Sequence, residues 1–184
     1  KMRKNQTMKR LSLIIFIAFT LQSCLGQDIK INLSELKFKS IFGEKEKDNV
    51  NVYCLLGTGF FRTPRSENAD QLIQDWLEKN NDAKVILVST LVDKKGNINY
   101  CWLVDKNGQT INEYLVHNGC FPGGTMMRPN TFSEMSKEER KMYADEKPNI
   151  IVQIDKKSYD EFIEKIKLAE TFARENKLGI WKDK

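Results

Sequence analysis

The chain has one histidine, four cysteines and four prolines among its 184 residues, and it lacks an apolar run long enough to cross a bilayer. With His117 as the sole histidine, no Ser-His-Asp or Cys-His arrangement can be argued from the sequence, because such sites are recognised by spatial geometry. No pair of cysteines has C-x-x-C spacing, so zinc and thioredoxin-like chemistry have no support. Four prolines and ten glycines are too few for a low-complexity chain, and 40% hydrophobic residues suit one ordinary globular domain. No internal repeat, linker or second domain interrupts the pattern.

An excess of charge of one sign is also missing once position is considered. The formal net charge is +5, but Lys1, Arg3, Lys4, Lys9 and Arg10 all precede residue 24, and no acid accompanies them. Without those five, 25 basic residues face 25 acidic ones, so the remainder is formally neutral. Net charge therefore gives no support to polyanion binding, nucleic acid included, although a local patch is compatible with neutrality.

The leader itself is informative. Leu11 to Leu21 is an apolar stretch directly after Lys9 and Arg10, which is the layout of an export signal, and Met8 reads as a natural start. The stretch is far short of the about 20 residues needed to span a bilayer. Leu21, Gln22, Ser23 and Cys24 resemble a bacterial lipobox. That resemblance implies lipidation at Cys24, a signal peptide over 1–23 and anchoring in the cell envelope, since two or three acyl chains hold where a single chain does not. Cys24, Leu25 and Gly26 also offer a small-x-small site for ordinary cleavage before Gln27, which would give a periplasmic or secreted protein. Cys54, Cys101 and Cys120 then occupy an oxidising compartment in odd number. Cys54 and Cys101 sit in apolar strand-like runs and read as buried, whereas Cys120 begins a loop and is the better candidate for exposure.

Hydrophobic periodicity predicts the elements. Ile29, Ile31 and Leu33, then Leu36 and Phe38, alternate as two short strands in an N-terminal segment 24–49, and Val50 to Leu56 is a buried strand ending at Gly57 and Gly59. Ala69, Leu72, Ile73, Trp76 and Leu77 line one helix face, with Asn68 and Gln71 as a capping box. Lys84 to Val92 and Ile98 to Val104 form a hairpin about Asp93 to Asn97. Ile111, Tyr114 and Leu115 give a short helix stopped by Gly119, and Ser136 with Glu139 caps another. Ile150, Val152 and Ile154 alternate as an edge strand. The longest helix carries Tyr159, Phe162, Ile163, Ile166, Ala169, Phe172 and Ala173 on one face, ends at Gly179 and lets Trp181 fold back.

Thr63 and Pro64 before the first helix, the Asp93 to Gly96 turn, Gly108 to Gly119 (GQTINEYLVHNG) and the tail Ala169, Glu170, Ala173, Arg174, Lys177, Gly179, Ile180, Trp181 together resemble the staphylococcal nuclease-like family. The resemblance covers 50–184 and implies an α+β fold: a single OB-fold-like barrel with packed helices and a long C-terminal helix. Catalysis in that family needs carboxylates for calcium, a Glu after Thr-Pro to activate water, and two arginines on the phosphate. The corresponding positions here hold Arg62 for the metal-binding Asp, Arg65 for the Glu, and Gly57 and Asn97 for the arginines. Two cations where a metal and a base belong would repel calcium. The expectation is an inactive nuclease-like binding module without catalytic residues, metal or cofactor, whose partner is an envelope protein or ligand. An exported, calcium-dependent phosphodiesterase acting on DNA or RNA is the alternative.

Two surfaces are candidates for that binding. Arg62, Arg65 and Arg128 are candidate anion or ligand contacts. The loop containing Phe121, Gly123, Gly124, Met126 and Met127 is the other, since loops on rigid scaffolds often carry function; its breakers also suit a connection that simply re-aims the chain.

Overall fold

The computed structural model describes residues 31–58, 63–143 and 147–183. Six strands form one mixed sheet in the order β1-β2-β3-β5-β4-β6. The N-terminal meander joins β1 (Leu36–Lys39), β2 (Phe42–Lys45) and β3 (Asn51–Cys54) antiparallel. Next come α1 (Ala69–Lys79) and the hairpin of β4 (Lys84–Asp93) and β5 (Gly96–Val104). β5 pairs parallel with β3, the one parallel contact in the sheet. After α2 (Ile111–His117) and α3 (Lys137–Met142), β6 (Asn149–Val152) adds antiparallel to β4 at the edge, and α4 (Lys156–Glu175) ends the series of helices.

The ladder does not close on itself. A single antiparallel bridge from Asn32 to Lys84 brings the chain entering β1 to the start of β4. The expected strand through Leu33 is instead a 3-10 turn over Leu33–Glu35, where Asn32 Nδ2 donates to Glu35 Oε1 and Glu35 N–H donates to Asn32 O. An asparagine offering such local bonds competes with a ladder.

Alternation sorts the side chains. Leu36, Phe38, Tyr53, Cys101 and Leu103 turn to one face of the sheet, and Cys54, Tyr100 and Trp102 to the other. Trp102 stacks on Phe162 of α4 with ring centroids 4.1 Å apart, which fastens the long helix to the sheet. β4 breaks register between Leu87 and Ser89, and the extra residue, Val88, accepts the N–H bonds of Gln153 and Ile154. The irregularity thus serves the edge strand.

Several details differ from the sequence reading. Asn68 has φ −91° and ψ 8°, so its side chain does not cap α1, and Gln71 bonds to Asp75 instead. α4 ends at Glu175, with Lys177 at φ 52°, before Gly179 is reached. Gly179 serves a close approach: a Cβ there would lie 2.1 Å from Gly119 O, and one on Gly119 would lie 2.2 Å from Leu178 O. Ile180 N–H donates to that Gly119 carbonyl, and Trp181 is buried beneath the Arg174 guanidinium, 3.7 Å from its ring centre. Phe172 is 41% exposed and stacks on His117 rather than entering the core. Cys120, expected at the surface, is fully buried like Cys54, because Gly119 turns the chain inward and Cys120 N–H bonds to Leu115 O.

Candidate functional site

Beyond β3 the chain runs through the buried pair Leu55 and Leu56 to Gly57, where the loop carrying Phe121, Gly123, Gly124, Met126 and Met127 meets it. Gly57 N–H donates to Thr125 O at 2.7 Å, and Thr58 N–H to Met127 O at 2.8 Å. A Cβ on Gly57 would sit 1.7 Å from Met127 O, so only glycine allows this approach. Phe121, Gly123 and Met126 are consequently buried, with Gly123 pressed against Ile166 and Glu170 of α4. Only Gly124 and Met127 of the five face solvent.

The arginines fall into different surroundings. Arg128 donates to both carboxylate oxygens of Glu134, at 2.9 and 2.7 Å, and to Pro129 O, and it lies 5.0 Å from the Tyr159 ring centre. Its backbone N–H donates to Tyr159 Oη. The Arg128 hydrogen bonds hold the Glu134 carboxyl at about 2, against the opposing effect of its partial burial. Arg65 is exposed and lies 3.5 Å from Asp70, which also accepts the Ser40 hydroxyl. Both cations therefore already face carboxylates. Arg62 and Cys24 lie outside the described residues.

Asn97 is held in a belt of neutral amides on one face of the sheet. Asn51 Oδ1 accepts from Asn97 Nδ2 at 3.0 Å and from Asn99 Nδ2 at 3.2 Å. Asn99 Oδ1 accepts the Thr90 hydroxyl at 2.8 Å, and Gln153 Oε1 lies 3.4 Å from the same hydroxyl. At the other end Asn51 Nδ2 donates to Asp48, whose carboxylate also receives Val50 and Asn51 N–H. These bonds, led by that from Asn51, keep Asp48 below the usual carboxylate range. The parallel register that sets Asn51 opposite Asn97 builds the belt. Amides donate and accept hydrogen bonds, but they neither carry charge nor take a proton at neutral pH.

Next to the belt, a groove of about 580 Å³ runs over β1 to β3 and the turn between β2 and β3, lined by Lys37, Lys39, Glu44, Lys47, Asp48 and Asn51 among others. Lys37 faces Glu46 at 4.0 Å and Lys45 faces Glu35 at 2.5 Å. Such exposed pairs contribute little to stability, but they leave the groove with interspersed charges of both signs. Among the described residues, no group of three or more His, Cys, Asp or Glu is placed to hold a metal ion.

The sequence reading missed both belt and groove. Asn97-Ile98-Asn99 is a visible alternation of amides within a strand, yet their partner Asn51 lies 46 residues from Asn97 and is supplied by a pairing no local pattern encodes. No protein-family model matches the sequence, and no curated protein is significantly similar to it.

Proposed function

We propose that the protein is an exported, lipid-anchored domain of nuclease-like OB type that binds an envelope ligand or partner without cleaving nucleic acid. The β1 to β3 meander, the parallel β3–β5 pair, the Asn32–Lys84 bridge and the C-terminal α4 support the OB-like reading. In OB folds the face of strands 2 and 3 is a common ligand surface, and the mixed-charge groove over β1 to β3 supports its use here.

The observation that carries the noncatalytic reading is Asn97. By the resemblance, this position holds an arginine that stabilises charge developing on phosphate, whereas Asn97 is a neutral amide tied into the belt with Asn51. Arg62 and Arg65 in place of acidic residues support the same conclusion. The test is an assay of the purified, folded protein on single-stranded DNA and RNA in calcium, magnesium and EDTA. No cleavage in any condition is expected; metal-dependent cleavage abolished by EDTA would identify an exported phosphodiesterase instead.

A further inference from the structure

We infer that the protein holds one ordered water molecule between α2 and the loop after it, bonded to both Asn112 and Arg128. A partly open pocket of about 10 Å³ is lined by Leu55, Gly57, Trp102, Asn112, Met126 and Arg128, among others. That is close to the volume occupied by one water-sized probe, the smallest space in which a water is accommodated.

Two buried polar atoms from the lining residues have no protein partner: Asn112 Oδ1, an acceptor, and Arg128 Nε, a donor. Asn112 is 1% exposed, and its Nδ2 donates to Leu55 O while lying 3.7 Å from Met126 Sδ. Rotating the amide would not satisfy the oxygen, because it would set Oδ1 against the Leu55 carbonyl, acceptor against acceptor. The terminal nitrogens of Arg128 are committed to Glu134 and Pro129, which leaves Nε directed elsewhere.

An unpartnered acceptor and an unpartnered donor on two residues that line one small pocket call for an occupant that can both donate and accept. Water does so; an anion would be repelled by Asn112 Oδ1, and a cation by the Arg128 guanidinium. Buried polar groups are almost always satisfied by protein or by ordered water. The water joins the end of β3 and α2, through Asn112, to the loop that Arg128 anchors, and thereby helps position the segment lying along Gly57 and Thr58.

The experiment uses the unaltered protein: a crystal structure that resolves ordered solvent, together with water-to-protein cross-relaxation measured in solution at Arg128 Nε–H. The expected result is one fully occupied water within hydrogen-bond distance of both Asn112 Oδ1 and Arg128 Nε, and cross-relaxation from a water that stays bound long enough to give it. The inference is overturned if the two atoms bond to protein groups instead, if the density touches only one of them, or if it belongs to an ion.

Discussion

Cys54, Cys101 and Cys120 illustrate how position alone decides the behaviour of a side chain. Burial pushes the Cys54 thiol up to about 12 and raises those of Cys101 and Cys120. Cys54 pairs with Tyr100, so Cys101, one residue further, turns to the opposite face, and these neighbours in the sheet cannot bridge without backbone movement. All three are expected to remain unlabelled by a thiol reagent in the folded protein and to react fully after denaturation. Rapid native labelling of any one, read by mass spectrometry, would contradict that packing. Glu134 provides a pH signature at the same scale. Its carboxyl is lowered from 4.5 to about 2, chiefly by hydrogen bonds from Arg128, so its contribution is present above the unfolded value and is lost as pH falls through the folded one. The stability advantage of wild type over Glu134→Gln should therefore shrink between about pH 5 and pH 2, as followed by thermal melts; because the carboxylate is 42% exposed, the effect is modest.

Among the elements, the C-terminal tail depends most on a distant contact. α4 could end almost anywhere after Ala173 by pattern alone, but the Gly119 and Gly179 backbones pack so closely that the tail has one way to continue. Trp181, 5% exposed, is the result of that approach. Trp181→Ala should cost roughly 3 to 5 kcal/mol in chemical denaturation, as for other buried tryptophans, and an unchanged midpoint would mean the tail contributes no core. The loop of Phe121, Gly123 and Met126 follows the same logic. Its glycines and methionines resembled a contact surface, yet the bonds to Gly57 and Thr58 draw most of it inward.

For the whole molecule, the proposed function makes membrane attachment the property to test. Among the described residues no helix is long and apolar enough to cross a membrane; the proposed function places attachment at Cys24. Cys24→Ala should move the protein from the membrane to the soluble fraction, as measured by fractionation and blotting; continued membrane partition would remove the lipid-anchor assignment. Net charge gives no support to a substitute electrostatic anchor, because residues 24–184 are formally neutral and the groove over β1 to β3 mixes lysines with carboxylates.

Much of the local order was legible in the sequence. The 84–104 hairpin, α2 with its Gly119 stop, the Ser136–Glu139 capping box and the edge position of β6 depend on contacts a few residues apart or on strict alternation. The sequence by itself therefore determined most of the helices and strands and many of their buried faces, because those preferences arise from backbone sterics and periodicity; it did not determine the turn over Leu33–Glu35 or the short strand Phe42–Lys45, whose charged sequence carries no clear alternation. Tertiary structure decided which strands became neighbours. The parallel β3–β5 pair created the amide belt, the Gly57 and Gly179 approaches set the loop and tail, and the Arg128–Glu134 pair took up a cation that looked free. Each joins residues whose individual preferences are compatible with many partners; the choice among those partners comes from the packing of the whole chain.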